Sequence, residues 1–457
     1  MKNYEVVVVG GGIGGLTTAA LLAHRGVSVC LLERQSRVGG CLANFEHLGF
    51  EFEPTYGLYR GFGPGEAFDR VLSELGITTP QVKRISPAHI VRLADGAEVS
   101  VSTELDEFEQ SLRTAFPECP DAALGFYRSL ATPSEAHAST LVSSCLQTCS
   151  PRFRAFVDAQ LQIFLQGSSD TCSIDCATEI LNPRRSFWSI EGGAQRLVDA
   201  LAESIKQSGG TVRLNAPVLR LAYGSDGEPS GVDLLNGEQV AATKAIVSNL
   251  TVWDTYGKLI GLRRTPRQMA AVLRDLRSFG AYLLFLSMDR EAATRLPNKR
   301  ILALTESPES ERDPLNDQLF FSCSEDAVAP VGKVAVTVTT LTNAEDWFSF
   351  HEDQSAHEKQ DQQMLEAVWS RLHASIPVLG DAVEVIETAS PQTFYETTRR
   401  KFGMIGRPAY AAREIPPDFG RPFMNVFIIS DTTTAGSGVA SVAKAALDLS
   451  DLLEKSS

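Results

Sequence analysis

Long apolar runs are missing from this chain. Stretches such as Tyr282 to Met288 fall far short of the ~20 residues that cross a bilayer, so no membrane-spanning helix is expected. Positive charge is also in deficit. A net charge of −14 over 457 residues lacks the concentrated Lys and Arg that a phosphate backbone demands, which excludes nucleic acid as an expected partner. It gives no electrostatic help toward anionic lipid either, leaving an apolar patch as the means of any peripheral membrane contact. Repeats and low-complexity tracts are absent. With 43% hydrophobic and 21% charged residues the composition is that of an ordinary soluble protein, long enough for two or three packed domains. Near the N-terminus, Glu5 and the glycines from Gly10 to Gly15 would interrupt the apolar core of a secretion signal, so a cytoplasmic location is expected.

Eight cysteines are too few for a disulfide scaffold in a chain of this length. Cys145 and Cys149 are separated by three residues, as are Cys172 and Cys176, whereas paired zinc cysteines usually have two between them. On a helix this gap puts each pair on one face, where cysteine serves as a small apolar residue. His351, His357 and His373 also lack ligand spacing. No metal is expected.

The first forty residues carry the strongest signal. Val6 to Val9 is a continuous β-branched run, the pattern of a strand buried on both faces. Gly10, Gly12 and Gly15 follow as G-x-G-x-x-G, then Leu16, Ala20 and Ala23 recur at helical spacing until Gly26. Val27 to Leu32 reads as a second strand ending at Glu33. The unit is that of a dinucleotide-binding turn. Gly10 permits the tight turn, Gly12 lets the backbone approach a pyrophosphate, and Gly15 lets helix and strand pack closely. The helix N-terminus offers free N–H groups and a positive dipole end to phosphate, and Glu33 can accept hydrogen bonds from ribose hydroxyls. This unit alone does not separate FAD from NAD.

The residues after Glu33 do so by resemblance. Arg37, Gly39 and Gly40 complete E-x-x-x-R-x-G-G, which resembles the extended FAD fingerprint of glutathione-reductase-like flavoproteins, especially the amine-oxidase and phytoene-desaturase groups. Amine oxidases usually follow the glycine pair with Arg, where this chain has Cys41, and that departure favours the phytoene-desaturase and carotenoid-isomerase group. Further cues resemble the same group: the alternating Gly49 to Glu53, a Gly192-Gly193 turn opening a helix, a strand at Val218, and Ser248-Asn249 followed by Tyr256, Lys258 and Leu259. At the other end Val426 to Ile429 reads as a buried strand. Ser430, Asp431, Thr432 to Thr434, Gly436 and Gly438 lead from it into an Ala-rich helix from about Val439 to Leu453. This resembles the family's closing motif, whose acidic residue binds the FAD ribityl or phosphate region. A helix dipole aimed at the ring would stabilise anionic reduced flavin.

The resemblance implies an α/β fold: a glutathione-reductase-like FAD-binding Rossmann domain, discontinuous in sequence, with an α+β substrate domain. The expected segments are 1–84, 186–261 and 401–457 for the first, and 85–185 and 262–400 for the second. Residues 85–180 read as mixed helical material. Tyr282 to Ser287, Leu319 to Ser322 and Val334 to Thr340 read as strands, and Gln362 to Leu372 as an amphipathic helix. FAD is the expected cofactor. Its candidate contacts are Gly10, Gly12, Ile13, Gly14, Gly15, Glu33, Arg34, Arg37, Gly39, Gly40, Val218, Asp431, Gly438 and Val439.

The expected chemistry is hydride transfer between flavin N5 and a small apolar substrate, polyene, terpenoid or lipid-like, with the protein positioning a C–H bond and excluding water. Desaturation and isomerisation are not separated, and no motif specifies the electron acceptor or donor. Glu53, near the flavin by the resemblance, is a candidate acid or base. Arg399, Arg400 and Lys401 read as a solvated face. Two rival readings stand beside this one: a flavin amine or amino-acid oxidase on a small soluble substrate, and a non-catalytic binding protein of the same fold.

Overall fold

The computed structural model describes residues 2–131, 140–276, 278–305, 317–348, 354–408, 419–434 and 438–455. His351 and Gly436 lie outside them. Two seven-stranded sheets organise the molecule. In the first, β1 (Lys2–Val9) lies parallel between β2 (Val29–Leu32) and the strand Gln239–Ser248, which in turn pairs with the late strand Val426–Ile428.

The valine run explains why this strand is central. Val6 and Val8 point into a core built from helix α1 (Ile13–His24), helix Ala194–Gln207 and the final helix Val439–Lys455. Val7 and Val9 point the other way, into a core with Trp253, Tyr256 and Leu259. Side chains alternate across a strand, so a residue type that is apolar at every position is required when both faces are covered. Full burial of each Val contributes roughly 1.5–3 kcal/mol. Helix α1 is buried almost all round because Ala19, Ala20 and Ala23 let neighbouring helices approach closely.

The second sheet runs Val383–Ala389, Gly280–Asp289, Lys333–Thr342, Gln318–Ser324, Arg300–Leu304, His89–Arg92, Glu98–Val101. Its last two strands lie within residues 85–180, read from sequence as mixed helical material, whose described elements also include the helices Pro151–Leu165 and Ile174–Leu181. Each of these strands has only four residues, too few for a period to emerge, and His89–Arg92 is recruited by parallel pairing with Arg300–Leu304. One face of the sheet carries Leu284, Leu286, Ile301 and Phe321 against Val368 and Leu372 of helix Gln354–Ser375. The opposite face carries Leu283 and Phe285 toward the hairpin Phe45–His47/Phe50–Phe52. No helix among the described residues is long and apolar enough to cross a membrane.

Candidate functional site

Between β1, β2 and the final helix lies a cavity of about 460 Å³, within the ordinary range for small-molecule sites. Gly10, Gly11, Gly12 and Ile13 form its floor, Glu33, Arg34 and Arg37 one side, Gly39 and Gly40 a second turn, and Val218 one end. Asp431, Gly438 and Val439 arrive from the C-terminal segment. Gly14 and Gly15, also expected here, do not line it.

Their work is packing. A Cβ on Gly15 would stand 2.1 Å from the Gly10 carbonyl oxygen. One on Gly14 would stand 2.7 Å from Val442 and 2.8 Å from the Ile429 carbonyl oxygen. Gly10, at φ +101°, closes the turn by donating its N–H to the Leu32 carbonyl at 2.9 Å. Gly39 donates to the Gly11 carbonyl at 2.8 Å, docking the second glycine turn onto the first. Glu33 accepts from Gly11 N–H at 2.6 Å through Oε2 and from Gln35 N–H at 2.8 Å through Oε1. Its carboxylate is thereby fixed at the end of β2, with lone pairs left for a ligand's hydroxyls. Arg34 donates to the Thr397 carbonyl at 2.6 Å; burial, then Arg399 nearby, lowers its pKa.

Several residues that line the cavity were not anticipated. Asn249 Nδ2 donates to the Ile429 carbonyl at 2.5 Å, while its Oδ1 occupies the space a Cβ on Gly12 would need, 2.6 Å away. Asp254 pairs with Lys258 at 2.7 Å. The Ser248-Asn249 and Lys258 cues were the signal available, but they named a resemblance and no role. Arg400 corrects the reading of a solvated basic face. Its guanidinium is 13% exposed and donates to both oxygens of Asp431, at 3.0 and 2.8 Å, and to the Met404 carbonyl at 2.7 Å. Burial works against the charge, but Asp431 and then Cys41 outweigh it and hold the pKa above its usual range. Only Arg399 of that basic run is exposed.

Glu53 lies apart from this cavity, in a smaller one of about 140 Å³ with Tyr59, Gly193 and Arg300. Its Oε1 accepts from the Tyr59 hydroxyl and from Ala194 N–H at 3.1 Å, the latter tying it to the start of helix Ala194–Gln207. Among the described residues no group of three His, Cys, Asp or Glu side chains could hold a metal. Burial pushes the Cys149 thiol up to about 11 and the Cys172 thiol up to about 12, so both stay protonated.

The donor set fits a dinucleotide. Backbone N–H groups at the start of α1, a fixed carboxylate at the end of β2 and two glycine turns leave room for a diphosphate. A family model described as flavin containing amine oxidoreductase matches residues 13–441. Prolycopene isomerase from Daucus carota is 24% identical over 97% of this chain and 78% of its own. Phytoene desaturase from Cercospora nicotianae is 24% identical over 58% of this chain and 48% of its own. A crystal structure of an oxidoreductase from Methanosarcina mazei shares the fold with TM-score 0.73 at 19% identity, covering 99% of this chain and 100% of the other. The chain belongs to the flavin-containing amine oxidoreductases and is an FAD-dependent oxidoreductase, similar in sequence to carotenoid isomerases and a phytoene desaturase.

Proposed function

We propose that this oxidoreductase acts on an elongated apolar substrate, a polyene, terpenoid or other lipid-like chain. The observation that carries the reading is an aromatic core cluster packed behind the cavity and joined to it through Cys41. Phe285 stacks with Phe45 at 5.1 Å and packs on Phe52 at 5.0 Å, Phe50 stacks on Phe52 at 5.4 Å, and Cys41, a cavity residue, packs against this cluster. This backing is apolar, which suits an apolar molecule removed from water more than a soluble amine. Similarity to a prolycopene isomerase supports the same substrate class.

When bound, FAD supplies hydride acceptance or donation at flavin N5. In this reading the Gly10–Gly15 turn and the α1 N-terminus hold the diphosphate, with Gly39 and Gly40 closing over it. Glu33 holds the ribose and Val218 borders the adenine end. The Asp431–Arg400 pair and the Gly438–Val439 turn face the other end of the dinucleotide. There the N-terminus of the final helix would favour negative charge. The aromatic cluster behind Cys41 keeps water from that side of the cavity, where the substrate would lie.

The test is anaerobic mixing of the FAD-loaded protein with detergent-dispersed polyenes and, separately, with soluble amines. For an oxidative reaction, bleaching of flavin absorbance by polyenes alone supports the reading. For a reductive or isomerising one, the dithionite-reduced protein should alter the polyene spectrum. Bleaching by amines alone contradicts both.

A further inference from the structure

Away from the FAD cavity, a set of buried hydrogen-bonding atoms has no partner among the described residues. His89 is 0% exposed, and neither ring nitrogen is bonded. Arg60 is 7% exposed; one of its nitrogens donates to the Ile180 carbonyl at 2.6 Å, while Nε and Nη1 have no acceptor. Arg300 Nε is likewise buried and unbonded. Leaving such an atom unmet is costly, the more so when it carries charge, so a cluster of them calls for a ligand that meets them.

The groups are neighbours. Ile301 pairs in register with Ile90, which sets Arg300 beside His89 on one face of the second sheet. Phe187 touches both of the others: the Arg60 guanidinium lies 3.9 Å over its ring, and the His89 ring meets it edge-on at 6.0 Å. Phe164 and Phe320 close on His89 at 5.6 and 6.0 Å, and Tyr56 packs on Phe320 at 4.8 Å. The result is a close-packed aromatic cluster that carries unused donors. Burial, followed by Arg185, pulls Arg60 down to about 9, so it stays charged at neutral pH. Burial, followed by Arg60 and Arg300, pulls His89 down to about 3, so it stays neutral and offers one donor and one acceptor.

We infer that this cluster is a binding subsite for the oxygen-bearing end, carboxylate or carbonyl, of an elongated apolar ligand. The rings receive the chain, and Arg60 with His89 receives the oxygen. A charged, desolvated donor facing an oxygen acceptor makes the stronger class of hydrogen bond, and an apolar end leaves the donors unmet. The rings fill the space between them, so the ligand end enters by displacing one. Phe164, the partly buried ring near the end of helix Pro151–Leu165, is the one to give way. This inference rests on the apolar-substrate reading above and names which apolar molecules fit best.

The test uses the FAD-loaded protein and two fluorescent probes. One is cis-parinaric acid, a conjugated polyene carboxylic acid; the other is the conjugated hydrocarbon of the same chain length. The ratio of their affinities is compared between wild type, Arg60→Met and His89→Phe, with thermal midpoint and FAD content measured alongside. The expected result is a fall of roughly tenfold or more in the acid-to-hydrocarbon ratio for Arg60→Met, with midpoint and FAD content unchanged or raised. His89→Phe, which fits the aromatic cluster, carries the test if Arg60→Met folds poorly, and a fall in its ratio is likewise expected. An unchanged ratio in folded variants overturns the subsite alone. Failure of both probes to bind wild type overturns the apolar-substrate reading as well.

Discussion

Asn249 joins the two ends of the chain: its Nδ2 donates to the Ile429 carbonyl at 2.5 Å across 180 residues of sequence, and its Oδ1 fills the space beside Gly12. The FAD turn at the N-terminus and the closing segment at the C-terminus are thus keyed to one amide side chain. Asn249→Ala leaves the Ile429 carbonyl without this donor and opens the join. A stability loss of about 1–3 kcal/mol is expected, with a larger relative loss of FAD affinity. Urea denaturation of the apoprotein alongside FAD titration separates the two effects.

The glycines of the first turn should divide by mechanism. Gly15→Ala drives a Cβ toward backbone, 2.1 Å from the Gly10 oxygen, which cannot yield cheaply. It is expected to lower apoprotein stability by about 1–3 kcal/mol or more. Gly12→Ala meets the end of a side chain, Asn249, which can turn aside. Its larger effect is expected on FAD affinity. Thermal melts with and without added FAD read the difference.

How far these roles could be read beforehand depended on distance along the chain. β1, α1 and β2 announce themselves because their signal is local: a valine run, a glycine turn and a helical repeat within the first strand–helix–strand unit. Val426–Ile428 and the final helix were legible for the same reason. Asn249 was visible only as part of a family cue, since its partner lies in another segment. Arg400 looked like one of three basic residues in a solvated run. Its burial is decided by Asp431, 31 residues on, and by Cys41 near the other terminus. The four-residue strands His89–Arg92 and Glu98–Val101 were missed because their pairing, more than their composition, makes them strands.

Breaking the Arg400–Asp431 pair tests that tertiary contact. Asp431→Asn removes the charge opposite a guanidinium that is 13% exposed and leaves one accepting oxygen where two now serve Arg400 and Gly406 N–H, the latter at 2.9 Å. A fully buried pair broken from one side costs about 3–5 kcal/mol, but Asp431 is 31% exposed and solvent screens part of this. A loss of about 1–3 kcal/mol is expected, together with weaker FAD binding. Arg400→Met with Asp431→Asn should recover part of the stability and none of the FAD affinity, as a double-mutant cycle would show.

His89 gives a pH signature. Its folded pKa is about 3, whereas a free histidine titrates near 6.5, so below about pH 6.5 the unfolded chain binds a proton that the folded one does not. Folding stability should therefore decline as pH falls through that window, by about 1.4 kcal/mol per pH unit from this group, levelling off below about pH 3. Denaturation of wild type and His89→Phe between pH 7 and pH 4 isolates the contribution. Parallel slopes would show that His89 is not held neutral.

Glu53 is expected to position rather than react, since its Oε1 is already engaged by Tyr59 and Ala194 N–H. Glu53→Gln should cost about 1–2 kcal/mol of stability. In the FAD-loaded protein, the rate of flavin reduction or of substrate isomerisation should stay within a few-fold of wild type. A loss of a hundredfold or more, with FAD content intact, would instead assign Glu53 a proton-transfer role.

Titration of apoprotein with FAD, followed by quenching of flavin fluorescence, asks whether the two chain ends close on a single dinucleotide. Saturation at one FAD per chain is expected in wild type, with binding lost in Gly12→Val and sharply weakened in Asn249→Ala. Absence of saturable binding in wild type, or undiminished affinity in both variants, would contradict it.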